Sequence, residues 1–538
     1  MNLKTLDNFK RFLEKILSSD YFIGAIFTIA TILIICHPIY ELSEILSYAD
    51  RGKMLLHGIK SEAISYSMPL ISLLGAVTEY HLNINPQISL KIAFILAIIG
   101  TYLLSYMIGL SAQGRITAFA TLLIAGMYDA DFEQALYSFF LVLAAVMLLQ
   151  RNKIYNVKTS IMAGLAIGFS FFVRSPLFVL PFLILIFDYF HHSKNLKKYI
   201  INSIVFLSAA YILLLPWAGV NHFLFNKFIP FEANRGAVNI ITGVKGATFT
   251  MEGDARALVG LNKNESVYKW ATKELLKNPR PALTAVPKRV LQVFYMHPFL
   301  LLLGLTGFIL GRKNKNVLLI SLIGGYFIGI HCLFPIGERY FYPLKHLLAF
   351  PAAFGLCFVF KKREKPSSSH TVVYAFFYAA LAIIIMLELI LFAYPFYAKK
   401  ELLALNNSLQ KHPHDRWLTK NKGELLLFKQ NNYEEGLQLL KTAYKIKPER
   451  ETDLGYILNT LEAKNLNEIS NPPESFKTHE LLILKMIKEL QLGEMDAAKR
   501  TLLIAQTQWN KENFLRMPTY EKDFEISKGI KEYYQTSL

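Results

Sequence analysis

Long apolar runs dominate the first 395 residues and constrain the fold more than any other feature. A helix needs about 20 residues to cross the hydrocarbon core of a bilayer, and several runs reach or approach that length. Of the 538 residues, 53% are hydrophobic, which is too many for a soluble globule of this size. We therefore predict an all-α polytopic membrane protein with about eleven transmembrane helices. The predicted spans are 21–39, 88–109, 113–128, 132–150, 158–173, 177–191, 198–217, 292–310, 316–334, 342–360 and 372–393.

Basic segments between the runs predict the topology. Under the positive-inside rule they face the cytoplasm. They agree on one topology only if the apolar stretch 66–82 does not cross, so we predict that it re-enters or packs at the outer surface from Ser67-Met68-Pro69. No small-residue cleavage site follows the first run, so we expect 21–39 to remain as a signal anchor. The basic segments are 1–20, Arg115, 151–157, 192–198, 311–315 and 361–365.

This topology separates the two ends of the chain. The N-terminus is predicted to be cytoplasmic, whereas the outer loops 40–87 and 218–291 and the C-terminal segment 400–538 are predicted to be extracytoplasmic. Direct export of the loops and the tail suits a bacterial inner membrane. The polar residues inside or beside the runs also converge on the outer side.

Charge and cysteine usage exclude two classes of protein. The net charge of +18 is spread over short loops and does not form a groove for phosphodiesters, so nucleic acid is not an expected partner. Cys36, Cys332 and Cys357 form no close pair and have no metal-ligand spacing. This spacing argues against a disulfide framework and against a zinc site.

The first outer loop contains Glu41 and Glu44, followed by Tyr48, Gly52 and Gly58. One interpretation makes an acidic residue at the membrane surface a general base or a metal ligand, above a short amphipathic interfacial helix. The other makes these carboxylates ordinary first-turn residues that favour the positive end of a helix dipole. Both interpretations remain open at the level of residue spacing.

Two further polar features interrupt apolar runs. The turn YDADFE places Asp129, Asp131 and Glu133 between two predicted spans, which favours a cation or polar ligand, although a solvated hairpin also explains it. Arg174 in FFVRSP lies where two short spans meet. It either snorkels to the interface or pairs with an anion.

A short outer turn, PIGERYFYP, carries Arg339 and Tyr340 just before a predicted span. An arginine at headgroup depth can bind a lipid phosphate. An aromatic and basic anchor at the interface explains the same residues.

The loop 218–291 is long enough to be ordered and to bind a ligand or partner. Its opening contains alternating apolar and polar residues with Gly236 and Gly243, which predicts short strands or turns. Its end predicts a helix up to Lys277, an Asn-Pro break, and an amphipathic helix that leads into the next span.

From about residue 400 the composition changes to that of a water-soluble helical segment. The spacing of small and apolar residues is typical of a tetratricopeptide repeat, and a weaker copy follows it. Segment 400–538 is therefore predicted to be a helical repeat domain that binds a protein partner or caps the membrane domain. The residues of the pattern are Gly423, Tyr433, Gly436, Leu440, Ala443 and Pro448, and those of the copy are Gly493, Ala498 and Ala505.

The order of these motifs over residues 20–395 resembles the GT-C superfamily of membrane glycosyltransferases. The similarity is to the branch of the protein O-mannosyltransferases and the lipid A aminoarabinose transferase. The chain departs from that pattern in having Glu44 where Asp is frequent and Val220 where Arg is usual. The matching residues are Glu44, Tyr48, Gly52 and Gly58, then Glu133, then Gly164, Gly168 and Arg174, then Pro216, Trp217 and Asn221, and finally Arg339, Tyr340 and Pro343.

The resemblance implies a polyprenyl-phosphate-linked sugar donor within the membrane lipids and an acceptor hydroxyl or amine on a lipid, glycan or protein. It implies inversion at the anomeric carbon, with Glu44 as general base. Arg174 and Arg339, with Tyr340, would bind the donor phosphate. Glu133, with Asp129 or Asp131, would orient the acceptor or hold a divalent cation, and Tyr48, Trp217 and Asn221 would lie at the acceptor and the loop.

Three other classes share some of these features. A lipid-linked glycan polymerase or ligase uses similar donors but transfers a whole glycan. A transporter or flippase is also polytopic, but we would expect two related halves, and the sequence has no such repeat. A scaffold that presents the C-terminal repeats would need only the segment 400–538 to bind its partner.

Overall fold

The computed structural model describes residues 42–126, 132–192, 194–232, 235–249, 256, 259–261, 265–358, 370–426, 432–446, 458–460, 482, 485–486, 488–489 and 492–504. Within these ranges the regular elements are helices, which confirms the all-helical prediction. The chain divides into two compact units. The first comprises 1–52, 62–250 and 264–395, and the second comprises 53–61, 251–263 and 396–538.

The described helices are numbered here in chain order. The first ten are α1 (Leu42–Leu56), α2 (Pro69–Leu82), α3 (Pro86–Gln113), α4 (Arg115–Gly126), α5 (Phe132–Lys153), α6 (Val157–Phe171), α7 (Leu180–His192), α8 (Leu196–Tyr211), α9 (Leu214–Phe225) and α10 (Arg235–Val244). They are followed by α11 (Val267–Lys277), α12 (Arg280–Met296), α13 (Pro298–Gly311), α14 (Lys315–Cys332), α15 (Tyr342–Cys357), α16 (His370–Tyr397), α17 (Glu401–Lys411), α18 (Arg416–Glu424) and α19 (Tyr433–Ile446). Short 3-10 helices cover Glu62–Tyr66, Pro176–Val179 and Glu338–Phe341.

Four described helices are long and apolar enough to cross a membrane, namely Pro86–Leu110, Gln134–Lys153, Lys315–Cys332 and Val373–Tyr397. Each coincides with a predicted span. The number rises to six if α8 with α9, and α12 with α13, each form one bent span. Gln134–Lys153 in α5 is the most enclosed, with 89% of its apolar window buried, so α5 lies at the centre of the first unit.

The other predicted spans do not reach this length in the described part of the chain. The run 113–128 forms α4, which has 12 residues and is therefore about 18 Å long, against a hydrocarbon core of about 30 Å. The runs 158–173 and 177–191 likewise form shorter apolar helices. The run 342–360 forms the 16-residue α15. The predicted anchor 21–39 lies outside the described residues.

The stretch 66–82 forms no long span. The helix α2 has 14 residues and begins at Pro69, directly after the predicted starting point. Its first residues are buried, and the backbone N–H of Leu70 donates to the carbonyl of Phe172 at 3.0 Å. This bond attaches the start of α2 to the turn that follows α6.

The opening of the outer loop 218–291, predicted to form short strands or turns, is helical over 218–225 and 235–244 and irregular over 226–232. Residues 235–244 form α10, because its apolar residues recur at helical spacing, with Ile241 and Val244 buried. In the described part of the opening, the only extended pairing is a single bridge between Phe249 and Ile336. The predicted helix to Lys277 and the break at Asn278 are confirmed by α11 and α12.

Contacts within the first unit bring the predicted basic loops together. The ring of Tyr155 stacks on His192 with centroids 4.0 Å apart, and Lys315 interacts electrostatically with the same imidazole. Arg151 forms a buried ion pair with Asp188. The segments 151–157, 192–198 and 311–315 therefore meet at one end of the bundle, termed here the basic end.

The second unit contains a close helix pair. A Cβ on Gly423 of α18 would lie 3.0 Å from the carbonyl oxygen of Gly436 in α19, and Leu440 and Ala443 are fully buried. These are positions that the repeat pattern selected. Pro448 and Ala505 lie outside the described residues. His57 also belongs to this unit and stacks on Trp417 with ring centroids 5.7 Å apart.

Candidate functional site

Two arginines that are far apart in the sequence meet on one aromatic ring. The guanidinium carbon of Arg174 lies 4.6 Å from the ring centroid of Tyr340, and that of Arg339 lies 5.4 Å from it. These three residues are called the arginine–tyrosine cluster below. They are the residues selected from the sequence for phosphate binding.

The position of Arg174 follows from how α6 ends. Pro176 lacks a backbone N–H and cannot continue the hydrogen bonding of α6, so the chain turns at 172–175 before a 3-10 helix. The backbone N–H of Arg174 donates to the carbonyl of Ser170 at 2.9 Å. The side chain is thus presented from a turn between two packed elements.

Two glycines hold α6 against α8. A Cβ on Gly164 would lie 2.4 Å from the carbonyl oxygen of Phe206, and one on Gly168 would lie 2.9 Å from that of Ala210. Real Cβ atoms do not approach backbone oxygens so closely. The Gly-x-x-x-Gly motif therefore acts in helix packing and fixes α6, the helix that precedes the turn carrying Arg174.

Two buried polar residues that the sequence analysis did not select lie beside the cluster. Arg174 interacts electrostatically with both Tyr137 of α5 and His331 of α14. The hydroxyl of Tyr137 and Nε2 of His331 are buried and have no hydrogen-bond partner among the described residues. An unsatisfied buried polar group costs about 1–3 kcal/mol, so such groups point to a ligand or an ordered water.

A sequence signal for both residues exists in retrospect. Tyr137 lies one helical turn after Glu133 in FEQALY, and His331 is an ionisable residue inside an apolar run. Polar and ionisable residues at membrane depth are expensive and mark functional sites. Their apolar neighbours masked this signal, because each run was assigned as a span by its average hydropathy.

Arg289 is a buried arginine that the sequence analysis did not select, and it connects the outer loop to the turn before the arginine–tyrosine cluster. Arg289 of α12 donates to the carbonyl of Ala247 at 2.6 Å and to that of Leu333 at 2.9 Å. The N–H of Ile336 donates to the carbonyl of Thr248 at 2.9 Å. Residues 243–249 are therefore fastened to the turn that joins His331 to the arginine–tyrosine cluster.

Asn221 also connects outer loops by hydrogen bonds. Its side-chain oxygen accepts from the hydroxyl of Ser65 at 2.5 Å, and its amide nitrogen donates to the carbonyls of Ile229 and Phe231 at 2.8 and 2.9 Å. The bond to Ser65 ties α9 to the 3-10 helix 62–66, and the two N–H bonds tie α9 to the segment that follows it. Trp217, on the same helix, is fully buried.

The first outer loop packs closely around α1. A Cβ on Gly52 would lie 2.0 Å from the carbonyl oxygen of Ser72, which brings α1 directly against α2. Arg51 donates to the hydroxyl of Ser67 at 2.9 Å and lies 4.9 Å from the ring centroid of Tyr48. Tyr48 is almost fully buried.

The predicted carboxylates are described only in part. Glu44 lies in the first turn of α1 and Glu133 is the second residue of α5, but their side chains lie outside the described part of the chain. Asp129 and Asp131 lie wholly outside it. Among the described residues, no group of three or more His, Cys, Asp or Glu side chains could hold a metal ion.

Comparison with known protein families, curated proteins and solved structures finds no match. The function is therefore inferred from the side chains and their geometry. Two guanidinium groups within reach of one ring provide a fork of N–H donors suited to a phosphate or a carboxylate. The adjoining phenol and imidazole add polar atoms that such a ligand could satisfy.

Proposed function

We propose that the chain is a membrane glycosyltransferase. It would transfer a sugar from a polyprenyl-phosphate-linked donor to a lipid, glycan or protein acceptor at the outer face of the membrane, with inversion. The observation that carries this proposal is the arginine–tyrosine cluster, which collects two cations at one end of a helical bundle that has several apolar helices.

The chemistry requires charge stabilisation at the donor phosphate. As the bond between the anomeric carbon and the phosphate oxygen breaks, the phosphate gains a second negative charge. Arg174 and Arg339 would neutralise this charge, an effect that is stronger in a water-poor site than in bulk water. Tyr340 would keep the two guanidinium groups at the same place.

The acceptor needs a base. Glu44 is proposed to take the proton from the acceptor hydroxyl or amine, a contribution of about 10²–10⁴-fold in rate. Glu133, with Asp129 or Asp131, is proposed to orient the acceptor or to hold a divalent cation. Tyr48, Trp217 and Asn221 would shape the loops around the acceptor.

The proposed orientation places the basic end in the cytoplasm of a bacterium and the arginine–tyrosine cluster at the outer face of its inner membrane. The contacts 70–172, 65–221 and 248–336 support this proposal because they join predicted outer loops to one another. The C-terminal unit would then be extracytoplasmic and available to a protein partner.

The test is release of free polyprenyl phosphate by the purified full-length chain. A panel of polyprenyl-phosphate sugars is offered with a crude membrane acceptor mixture. We expect release from one donor by the wild type and by Glu434→Gln, a control in the second unit, and at least 100-fold slower release by Glu44→Gln. Equal release by Glu44→Gln would remove Glu44 as the base. Absence of release from every donor would contradict the proposal and favour the ligase or transporter class.

A further inference from the structure

Three polar groups from three different elements interact with one another, and two of them, Arg174 and His331, lie beside Tyr340. They are the hydroxyl of Tyr137 on α5, the guanidinium of Arg174 on the turn after α6, and the imidazole of His331 on α14. The His331 ring lies 6.2 Å from the Tyr340 ring, centroid to centroid. Of the three, only Arg174 belongs to a motif that the sequence pattern predicts to bind phosphate.

The tautomer of His331 follows from its one hydrogen bond. Nδ1 lies 2.9 Å from the backbone carbonyl oxygen of Phe327, and a carbonyl can only accept, so Nδ1 carries a proton. The other ring nitrogen, Nε2, then holds a lone pair in the neutral imidazole. Nε2 is buried and has no partner among the described residues, so a ligand that satisfies it must bring a hydrogen-bond donor.

Aromatic rings hold the imidazole in place. Phe327 lies 4.2 Å from the His331 ring and Phe341 lies 5.6 Å from it, centroid to centroid. The ring is thus packed from two elements while Nδ1 is anchored. Nε2 is a fixed acceptor and not a freely rotating group.

The hydroxyl of Tyr137 has the complementary capacity. It lies on a fully buried side chain, has no partner among the described residues, and can donate to an anionic oxygen near Arg174. Gln134 lies one turn earlier on the same face of α5, and neither its side-chain oxygen nor its nitrogen has a partner in the described part of the chain. An amide of this kind suits hydroxyl groups, which both donate and accept.

The phosphate of the spent lipid, which carries two negative charges, has oxygen acceptors but no proton to donate, so it satisfies Tyr137 and Arg174 but not His331. A glycosyl phosphate satisfies all three, because the sugar adds hydroxyl donors next to the phosphate. The hydroxyl nearest to the phosphate is the one on C2, the carbon beside the anomeric centre. The ligand class that fits is therefore a glycosyl phosphate with a free C2 hydroxyl.

We propose that Tyr137 and His331 form the part of the donor site that distinguishes the sugar-loaded lipid from the spent one. Tyr137 donates a hydrogen bond to the phosphate, and His331 accepts one from the C2 hydroxyl of the sugar. This inference rests on the proposed function and deepens it, since it assigns the recognition of the sugar to residues outside the arginine–tyrosine cluster. It also explains how spent polyprenyl phosphate leaves, because the product lacks the hydroxyl that His331 holds.

The experiment measures equilibrium binding to the full-length chain in detergent, so it does not depend on turnover. The probes are polyprenyl phosphate, the polyprenyl-phosphate donors of glucose and of mannose, and the corresponding 2-deoxy donor. Glucose and mannose differ only at C2, so a single 2-deoxy donor is the control for both. The proteins are wild type, His331→Phe, His331→Gln and Tyr137→Phe. His331→Gln restores an acceptor and controls for packing, and each variant is compared after its elution as a single species in size exclusion.

We expect the wild type to bind glucose or mannose donor about 3–10-fold more tightly than the 2-deoxy donor, the value of one hydrogen bond. His331→Phe should lose this preference and bind polyprenyl phosphate as the wild type does, and His331→Gln should regain part of it. Tyr137→Phe should bind every probe more weakly by a similar factor. A preference that survives in His331→Phe, or no preference in the wild type, would overturn the proposal.

Failure of the proposed function gives a different pattern. If the C2 preference is present and depends on His331 but no sugar is transferred by any protein, the sugar site stands and the transferase proposal fails. If sugar is transferred without any C2 preference, the transferase proposal stands and this assignment fails.

Discussion

Tyr340 is the residue on which the site depends, because both cations lie within cation–π distance of its ring. Cation–π contacts contribute about 0.5–2 kcal/mol each, so the ring contributes to holding two like charges close together. Like charges repel, and an anion bound by both guanidinium groups would relieve this repulsion. The phosphate of the proposed donor supplies such an anion.

Replacement of this ring gives a direct prediction. Tyr340→Phe keeps the ring face and should release polyprenyl phosphate at a rate near that of the wild type. Tyr340→Leu removes the face and should lower kcat/KM by about 3–30-fold. Tyr268→Leu, at a residue that is 72% exposed, is the matched control and should change nothing. Equal activity of the Leu and Phe variants at 340 would contradict the role of the ring.

At the scale of elements, close helix contacts position the site. The turn that carries Arg174 is defined by the approach of α6 to α8 at Gly164 and Gly168, and by the bond from Leu70 to Phe172. On the other side, Arg289 holds residues 243–249 against the turn after His331. The side chains of the cluster are therefore supported from elements that lie outside it.

The α6–α8 contact can be tested with a pair of alanine substitutions. Gly164→Ala would place a Cβ 2.4 Å from the carbonyl oxygen of Phe206, so the helices must separate, at a cost of about 1–3 kcal/mol. Gly325→Ala, within α14, meets nothing within 4 Å and should be neutral or stabilising by up to about 1 kcal/mol. Thermal unfolding in detergent measures both. A Gly164→Ala protein as stable as Gly325→Ala would show that α6 and α8 are not closely packed.

Within the second unit, the packing of His57 predicts a pH dependence. Burial of the ring, which stacks on Trp417, lowers the pKa of His57 from 6.5 to about 4; the negative charge of Asp415 opposes this shift, and the positive charges of His412 and Lys53 add to it. The unfolded chain then binds more protons than the folded chain between these pH values, so stability falls as pH is lowered from about 6.5 to about 4. Above pH 6.5 this contribution is complete and constant.

The measurement is the melting temperature of the wild type and of His57→Gln at pH 7.5 and pH 5. We expect the wild type to lose more stability on acidification than the variant, because glutamine does not titrate. All other ionisable groups are common to the two proteins. The same loss in both would show that His57 is not held neutral by burial.

At the scale of the whole molecule, the sequence predicted local properties well and spatial ones poorly. The four long apolar helices coincide with predicted runs, since length and hydropathy are local properties. The number of spans was not obtained, because bends such as the 100° break between α12 and α13 depend on how Pro298 and its neighbours pack. Of the short strands or turns predicted after residue 218, the strands are wrong for residues 235–244, because alternation over a few residues does not exclude a helix.

For the candidate site too, the sequence predicted local properties better than spatial ones. Arg174, Arg339 and Tyr340 were selected one motif at a time, and nothing in the spacing of these motifs shows that they meet. Tyr137 and His331 were missed because each lies within an apolar run. Their significance depends on which side chains face them, which a single sequence does not reveal.

The central claim is that the arginine–tyrosine cluster binds the phosphate of a lipid-linked donor. The most direct measurement is the equilibrium affinity of the full-length chain for polyprenyl phosphate, in wild type, Arg174→Gln, Arg339→Gln and the exposed control Arg312→Gln at the basic end. Hydrogen bonds to charged groups are worth about 1.5–3 kcal/mol, so each cluster variant should bind about 10–100-fold more weakly. The control should bind like the wild type. Unchanged affinity in both cluster variants would contradict the account.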